Sequence, residues 1–275
     1  MIKLIATDLD GSLLDDNKQP PADLDSVLAQ LKDANVAFAA VTGRNFDAVR
    51  PALGDRLNNM ICVCNNGANI YENGVNTINH PLTKDRVVCT LDAVKNMENT
   101  IPLLFTMDSC YAVVGPQGFM DWAANPYSPL QWLNSYDDFY TLTEDVYKIS
   151  VYDGSGSISE YSYPVIRSRV AEDTAVYVSG EIWVDIVSGK ASKGYGLQLI
   201  MDKLGVKKEE TMAFGDYFND ESLLAAAGWP FVMENGVRPL KEKYSHRADT
   251  NNNGGVTKAI REYVLENTKE LQIIV

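Results

Sequence analysis

The chain contains little histidine, cysteine and positive charge, and it lacks a long apolar run. Two histidines and four cysteines occur in 275 residues, and 24 Lys and Arg stand against 37 Asp and Glu, a formal net charge of −13. This acidic balance argues against nucleic acid and against an anionic membrane surface as partners. No apolar stretch approaches the roughly 20 residues that cross a bilayer as a helix. The apolar content of 45% is ordinary for a globular protein.

The few histidines and cysteines carry little functional signal. The cysteines are Cys62, Cys64, Cys89 and Cys110, without the spacing of metal ligands. Cys62 and Cys64 alternate in a predicted strand, so we interpret them as small buried apolar side chains. His80 and His246 lie far along the chain from the acidic motifs described next, and we expect structural or surface roles for both.

Two carboxylates one residue apart end the first apolar run. This run, residues 2–7, is short and rich in β-branched side chains, which is typical of a buried strand. Asp8 and Asp10 follow, and Gly11 allows a sharp turn. Residues i and i+2 of a strand face the same way, so both acids leave the sheet together. Their like charges need compensation by a metal, a shared proton or a cationic substrate. Taken alone, the pattern is equally typical of a solvated turn.

A second acidic turn lies near the other end of the chain. The apolar run 211–214 ends at Gly215, and Asp216 and Asp220 follow. Between the two acidic turns lie a hydroxyl, Thr42, after another apolar run, and a lysine, Lys193. Acids, a hydroxyl and a lysine at strand or helix ends match the needs of Mg²⁺-assisted phosphoryl transfer, since Mg²⁺ prefers oxygen ligands and cations neutralise phosphate oxygens.

These motifs resemble those of the haloacid dehalogenase superfamily of phosphatases, specifically its Cof-type subclass IIB. The matching segments are D-L-D-G-S-L-L (8–14), V-T-G-R (41–44), S-K-G (192–194) and G-D-Y-F-N-D (215–220). Weaker matches are N-N-G-A (65–68), V-M-E-N-G (232–236) and T-N-N-N-G-G-V (250–256). The segments follow the family's order and span nearly the whole chain.

The resemblance implies a role for each matching residue. Asp8 would be the nucleophile that forms an aspartyl-phosphate, and Asp10 the general acid and then the base that activates water. The phosphoryl group would be held by Thr42, Gly43, Lys193 and Asn219. Mg²⁺ would be bound by the carboxylates of Asp8 and Asp216 and by the backbone carbonyl of Asp10, with Asp220 supporting the metal site.

Three positions need comment against the family pattern. Ser12 replaces the usual threonine and keeps the hydroxyl. Tyr217 and Phe218 replace smaller or polar residues beside the expected metal site, although Asp216 and Asp220 keep their spacing. Lys190 lies three residues before Lys193, and the S-K-G context favours Lys193 as the phosphate lysine.

The order of predicted elements indicates an α/β protein with an insertion. Helices and strands alternate over residues 1–82 and again over 188–275, which is typical of a doubly wound, mainly parallel, Rossmann-like sheet. Residues 83–187 contain predicted antiparallel hairpins and helices and form a separate α+β unit. Helices are predicted over about 45–57, 219–227 and 254–266. Asn73-Gly74 predicts a tight hairpin. The resemblance identifies the insertion as a cap domain that closes on substrate.

The predicted cap is rich in aromatic residues. They are Tyr111, Trp122, Tyr127, Trp132, Tyr136, Phe139 and Tyr140. A role in the core of a small domain is the favoured interpretation, and stacking on a sugar ring is the alternative. Asp185 could contact substrate hydroxyls. The resemblance suggests a sugar phosphate, with phosphorylated cofactors and polyols left open.

Three functions fit these observations. The first is a Mg²⁺-dependent phosphomonoester hydrolase for small phosphorylated metabolites. The second is a phosphotransferase or phosphomutase that passes the same aspartyl-phosphate to another hydroxyl, and the third is a non-catalytic binding protein of this fold. Loss of Asp8, Asp10 or Lys193 would favour the third, and all are present. We expect a cytoplasmic monomer or homodimer without a removable signal peptide, because the N-terminal segment itself carries the candidate acids.

Overall fold

The computed structural model describes residues 1–124 and 130–266, and its strands there form two sheets. The large sheet has eight strands, from residues 4–79 and 211–248, and the small sheet has six, from residues 100–188. The small sheet is therefore inserted between two segments of the large one, which confirms the predicted fold class. The domain bounds 1–82, 83–187 and 188–275 stay a prediction.

The strands are short. In chain order they are β1 (Leu4–Thr7), β2 (Ala37–Val41), β3 (Ile61–Cys64), β4 (Asn69–Glu72), β5 (Val75–Asn79), β6 (Thr100–Phe105), β7 (Cys110–Ala112), β8 (Leu130–Trp132), β9 (Lys148–Asp153), β10 (Thr174–Gly180), β11 (Trp183–Ser188), β12 (Thr211–Gly215), β13 (Trp229–Met233) and β14 (His246–Ala248).

The helices alternate with these strands. They are α1 (Leu24–Asp33), α2 (Phe46–Leu53), α3 (Lys84–Val94), α4 (Gln117–Ala123), α5 (Tyr163–Arg169), α6 (Lys193–Leu204), α7 (Glu221–Ala226), α8 (Arg238–Lys243) and α9 (Gly255–Ile260). Shorter 3₁₀ turns include Gly54–Asn59, Asn65–Gly67 and Phe218–Asp220, and Arg261–Glu266 is a π-helical turn. None of the helices of residues 1–124 and 130–266 has both the length and the apolarity needed to cross a membrane.

The large sheet is mainly parallel, as predicted. Its strand order is β14-β13-β12-β1-β2-β3-β4-β5, and the pairs from β14 to β3 are parallel. The pairs β3–β4 and β4–β5 are antiparallel. Asn73 and Gly74 join β4 to β5 with positive φ values of 51° and 78°, which suits a tight hairpin turn.

Helices cover both faces of the large sheet because β1 is apolar on both sides. Ile5 packs in one buried cluster with Leu24 of α1. Leu4 and Ala6 point to the opposite face and share a second cluster with Leu197 of α6. This is the doubly wound arrangement, and it places the loops after β1, β2 and β12 at one edge of the sheet.

The small sheet is mostly antiparallel, with strand order β10-β11-β9-β6-β7-β8 and one parallel pair, β7–β8. Of the predicted aromatic group, Phe139 is fully buried, whereas Trp132 is 46% exposed. Four others are partly buried against the same core, namely Tyr111, Trp122, Tyr136 and Tyr140. The core interpretation therefore describes most of the group, and Tyr127 lies outside the described residues.

The predicted helices are longer than the observed ones. The helix expected over 45–57 ends at Leu53, because Gly54 adopts a positive φ of 52° and the chain continues as a 3₁₀ turn. The helix expected over 254–266 is α-helical only to Ile260, and that over 219–227 begins as a 3₁₀ turn. Hydrophobic periodicity does not distinguish an α-helix from the tighter or wider turns that extend it.

Candidate active site

The predicted site residues meet at the carboxyl edge of the large sheet. Parallel strands β12, β1 and β2 are neighbours, so the loops that follow them emerge side by side. One cavity of about 520 Å³ is lined by all but one of the predicted residues, namely Asp8, Asp10, Thr42, Gly43, Lys193, Asp216 and Asn219. The remaining one, Asp220, is fully buried and bonded to Lys193.

Three carboxylates form an acidic cluster, Asp8, Asp216 and Asp220. Each offers one oxygen, and these oxygens lie within 4.8 Å of one another. Gly11 borders the cluster with a positive φ of 78°, and a Cβ atom there would lie 2.3 Å from Oδ2 of Asp216. Ser12 donates a hydrogen bond of 3.2 Å from Oγ to Oδ1 of Asp216, so its hydroxyl contacts the cluster.

Lys193 is the cation of this cluster. It is the first residue of α6, whose N-cap Ser192 accepts a hydrogen bond from the Tyr195 N–H at 2.9 Å. Its Nζ donates to Oδ1 of Asp8 at 2.7 Å and to Oδ1 of Asp220 at 2.5 Å, and its side chain is 1% exposed. Lys190, by contrast, is exposed.

Asp220 holds the loop after β12. Its Oδ2 accepts hydrogen bonds from the backbone N–H groups of Asp216 (3.0 Å) and Tyr217 (3.1 Å), while Oδ1 accepts from Lys193. Both oxygens of this buried carboxylate thus have partners. Phe218 is 43% exposed and its ring packs edge-on against Tyr217 at 5.1 Å. The two aromatic residues therefore leave the contacts of Asp216 and Asp220 intact.

Asp10 pairs with two other cations, Arg44 and Lys18. Arg44 donates from Nε to Oδ2 and from Nη2 to Oδ1, both at 2.6 Å, and Lys18 Nζ lies 2.9 Å from Oδ1. Burial alone would raise the pKa of Asp10, but the hydrogen bonds and charge of Arg44, joined by Lys18, lower it. Asp10 is therefore held as a carboxylate.

In the acidic cluster, by contrast with Asp10, the surroundings raise the pKa of two carboxyl groups. Burial raises the pKa of Asp8 to about 7; Lys193 opposes this rise, and the nearby charges of Asp220 and Asp10 add to it. Burial and the neighbouring carboxylates raise the pKa of Asp216 to about 8. Burial would lower the pKa of Lys193, but Asp220 and Asp8 raise it, so the lysine stays charged. One lysine does not balance three acids, of which Asp8 and Asp220 are buried and Asp216 is half-buried.

The cluster fits a hard divalent cation. Carboxylate oxygens are the ligands that such ions prefer, and burial together with neighbouring carboxylates raises the pKa of Asp8 and of Asp216. The lack of a Cβ at Gly11 leaves room beside Asp216. Asp8 and Asp216 are the carboxylates with capacity for a metal, since both oxygens of Asp220 already accept hydrogen bonds from the protein.

The loop after β2 supplies polar groups to the same cavity. The Thr42 side chain is almost fully buried, and its Oγ1 accepts a hydrogen bond from the Arg44 N–H at 3.1 Å. The hydroxyl hydrogen of Thr42 is thereby left to donate to another acceptor. The Gly43 carbonyl accepts a 2.6 Å hydrogen bond from Nζ of Lys148 on the small sheet. This bond joins the two sheets beside the cavity.

A chain of polar side chains makes a second connection between the sheets, and sequence reasoning did not assemble it. Asn219 Nδ2 donates to Asn66 Oδ1 at 3.4 Å, and Asn66 Nδ2 donates to Asp185 Oδ2 at 2.8 Å. Ser150 Oγ donates to Asp185 Oδ1 at 2.5 Å. Two signals were available: N-N-G-A suits the positive φ of Asn66, and Lys148 and Ser150 alternate within an apolar strand.

The weaker motifs near the end of the chain hold the loop that carries Asp8 and Asp10. Asn235 Nδ2 donates to the Gly11 carbonyl at 2.8 Å, and its Oδ1 accepts from the Asn251 N–H at 3.0 Å. Asn251 Nδ2 donates to the Leu14 carbonyl at 3.0 Å. Together the asparagines fix the backbone of the first motif at Gly11, directly after the acids, and at Leu14, where the motif ends.

Comparison with solved structures supports the same architecture. The chain is similar to SMU.1108c from Streptococcus mutans UA159, with a TM-score of 0.89 and 22% identity over 96% of this chain and 99% of that one. A haloacid dehalogenase-like hydrolase from B. subtilis gives a TM-score of 0.85 and 26% identity, over 96% and 100% of the two chains.

Comparison of sequences adds the chemistry. The 5-amino-6-(5-phospho-D-ribitylamino)uracil phosphatase YbjI of Escherichia coli is 25% identical over 264 residues, which cover 94% of this chain and 95% of that protein. The family model for haloacid dehalogenase-like hydrolases matches residues 5–260. With its acids, lysine and inserted sheet arranged as described, the chain belongs to the haloacid dehalogenase superfamily and is a Cof-type phosphatase.

Proposed function

We propose that the chain hydrolyses phosphomonoesters of small metabolites in a Mg²⁺-dependent reaction that passes through an aspartyl-phosphate on Asp8. The observation that carries this proposal is the position of Asp8. Its carboxylate lines the cavity, accepts a hydrogen bond from Lys193 and shares the acidic cluster with Asp216. A buried carboxylate beside a cation, open to a cavity, suits a nucleophile that attacks an anionic phosphate.

In the first step an Asp8 oxygen forms a bond to phosphorus, and the bond from phosphorus to the substrate's alcohol oxygen breaks. Lys193 faces the same point and would hold a phosphoryl oxygen. The Thr42 hydroxyl, the Gly43 backbone and the Asn219 amide border the cavity and would donate to the other oxygens. The phosphoryl group is thereby oriented in line with Asp8.

Mg²⁺ would be held by the carboxylates of Asp8 and Asp216 and the backbone carbonyl of Asp10. When bound, the ion neutralises part of the charge of phosphate and nucleophile, which otherwise repel each other. Asp220 would support this site indirectly, because it fixes the backbone N–H of Asp216 and shares Lys193 with Asp8.

Asp10 would give a proton to the leaving alcohol and then take one from the attacking water. In this second step the water oxygen bonds to phosphorus, the bond from phosphorus to the Asp8 oxygen breaks, and inorganic phosphate leaves. The contacts with Arg44 and Lys18 keep Asp10 ionised, the form needed for the second step. To act as an acid in the first step, Asp10 must exchange its bonds with Arg44 for a proton. We infer that substrate entry weakens this contact.

The substrate would be a small phosphorylated metabolite, and the sequence favours a sugar or polyol phosphate. By its name, the E. coli relative acts on a compound whose phosphate ends a ribityl chain, which is such a polyol. The cavity volume of about 520 Å³ lies within the roughly 300–1,000 Å³ of small-molecule sites.

The test is phosphate release from sugar, polyol and cofactor phosphates, with Mg²⁺ and with EDTA. Asp8→Asn keeps the volume and removes the nucleophile, so release should vanish while the circular dichroism spectrum is unchanged. Asp202→Asn on the exposed side of α6 is the matched control and should leave the rate unchanged. Asp10→Asn should slow turnover by roughly 10²–10⁴-fold.

Each alternative predicts a different result. A wild-type rate of phosphate release in Asp8→Asn would show that the assignment of the nucleophile is wrong. Equal rates of release with Mg²⁺ and with EDTA would refute only the metal requirement. Phosphate that moves to an added alcohol, with none released to water, would identify a phosphotransferase. The cytoplasmic location and the monomeric or homodimeric state stay predictions, to be checked by fractionation and light scattering.

A further inference from the structure

We propose that the substrate carries a planar aromatic ring on its leaving group and that this ring lies against Trp122 and Trp183, here called the tryptophan wall. The proposal rests on the proposed function, because it concerns the part of the same substrate that is remote from phosphate. It assigns to these two residues the selection of a ring-bearing polyol phosphate over the polyol phosphate alone.

The cavity has two chemically different sides. The large sheet contributes the acids, Lys193 and the loop after β2. The small sheet contributes mainly apolar side chains, among them Leu103, Phe105, Trp122, Leu130, Ile182 and Trp183. A phosphate bound near Asp8 therefore leaves the rest of the substrate facing an apolar surface.

The polar side chains that the small sheet adds to this cavity are largely engaged with protein. Lys148 donates to the Gly43 carbonyl at 2.6 Å and lies 4.4 Å from the centroid of the Phe105 ring. Both oxygens of Asp185 accept hydrogen bonds, from Ser150 at 2.5 Å and from Asn66 at 2.8 Å. Ser179 also lines this side, so among the described lining residues few polar groups are left to bind a part of the substrate with many hydroxyls. A flat apolar group needs no such partners.

The tryptophan wall is fixed before a ligand arrives. The two indole rings meet edge to face, with centroids 4.8 Å apart and planes at 65°. Phe119 packs against Trp122 at 5.7 Å, and Tyr152 packs against Trp183 at 5.6 Å. Both tryptophans are only half-buried and line the cavity. Half-exposed, rigid aromatic rings are a surface on which a further ring stacks with little entropic cost.

The experiment compares two esters that differ only in the ring, riboflavin 5′-phosphate and D-ribitol 5-phosphate. We expect kcat/KM to favour the flavin ester by roughly tenfold or more. Trp183→Ala should bring the ratio close to one by slowing the flavin ester alone. Trp183→Phe should keep part of the preference and guards against misfolding of the alanine variant. Trp132→Ala removes a 46% exposed tryptophan of the same sheet and should leave the ratio unchanged.

Binding to the Asp8→Asn variant separates this proposal from the proposed function, because binding needs no turnover. The flavin ester should quench tryptophan fluorescence. Its dissociation constant should be roughly tenfold lower than that of ribitol 5-phosphate, which is measured by competition with the flavin ester. Equal affinities, or a preference that survives in a Trp183→Ala background, would overturn the ring proposal even if Asp8-dependent hydrolysis stands. A Trp183-dependent preference in binding without Asp8-dependent release from any ester would support the ring site and overturn the proposed hydrolysis.

Discussion

Replacement of Lys193 by methionine should destabilise the metal-free protein strongly, with a dependence on pH. Nζ of Lys193 lies 2.7 Å from Asp8 and 2.5 Å from Asp220, and the three side chains are 1%, 6% and 0% exposed. Methionine keeps the length and apolar character of the lysine side chain but removes the positive charge. Two buried carboxylates then lose their counter-charge, and water does not screen them.

The magnitude follows from the contacts. A hydrogen bond to a charged group contributes about 1.5–3 kcal/mol. Removing one partner of a buried ion pair costs about 3–5 kcal/mol, because the other charge stays buried. We expect Lys193→Met to lower the free energy of unfolding by about 3–5 kcal/mol once the pH is high enough to ionise Asp8 in the variant, where its pKa lies above the wild-type value of about 7.

The pH dependence has a definite sign. A carboxyl whose pKa is higher in the folded than in the unfolded state weakens the fold as the pH rises through the folded value. Asp8 already has a pKa of about 7, above its ordinary 3.8, and loss of Lys193 raises it further. The difference between variant and wild type should therefore be largest at alkaline pH and shrink on acidification, as Asp8 becomes protonated.

Urea denaturation in EDTA, followed by circular dichroism at several pH values, measures these differences. Lys190→Met is the matched control, because Lys190 is exposed and three residues away, and it should change the free energy of unfolding by no more than about 0.5 kcal/mol. A loss below about 1 kcal/mol for Lys193→Met, or a loss independent of pH, would refute the reasoning.

Three further predictions concern the same edge of the sheet. The pKa of Asp8 is raised to about 7 and that of Asp216 to about 8, so Mg²⁺ must displace protons to bind. The increase in melting temperature caused by Mg²⁺ should therefore grow from about pH 6 to about pH 9, and an increase that does not change with pH would contradict this. Arg44→Met removes both 2.6 Å hydrogen bonds to Asp10, so the pKa of the Asp10 carboxyl, followed by carboxyl NMR in the metal-free protein, should rise; an unchanged pKa would contradict the role given to Arg44. Gly11→Ala places a Cβ 2.3 Å from Oδ2 of Asp216, whereas a Cβ at Gly205, the control position, meets nothing within 4 Å. Gly205→Ala should lower the stability by the about 1–2 kcal/mol of left-handed backbone strain, and Gly11→Ala should lower it by more, as measured by thermal unfolding.

The site was predictable from the sequence where chemistry follows the end of a parallel strand. Asp8, Thr42 and Asp216 each come directly after an apolar run, and parallel strands bring such positions together whatever their separation along the chain. The two-sided burial of β1, with Ile5 on one face and Leu4 on the other, made the doubly wound sheet predictable in the same way.

Contacts between the two sheets could not be predicted, because no periodicity says which side chains meet across an interface. Lys148 reaches Gly43 from 105 residues away, and Asp185 reaches Asn66 from 119 residues away. The ion pairs of Asp10 with Arg44 and Lys18 were missed for a related reason, because the contact with Lys18 depends on the conformation of a loop. Short elements were also missed: β8 has three residues, too few to show an alternation.

The central place of β1 has a consequence for biosynthesis. Leu4 pairs with Ala37 of β2 on one side and with Thr211 of β12 on the other. At roughly 5–20 residues per second, a ribosome makes β12 on the order of 10–40 s after β1. During that time one edge of β1 has no partner strand from the segment that will complete the sheet.

The small sheet has no such delay, because its strands lie within residues 100–188. We expect the nascent chain to fold this inserted unit first and to complete the large sheet only after residue 215 has left the exit tunnel. Asp8 is synthesised well before Lys193 and Asp216, the residues that it contacts in the folded site. A ribosome-bound chain stalled before β12 should therefore resist protease over the insertion and be cleaved within residues 1–82.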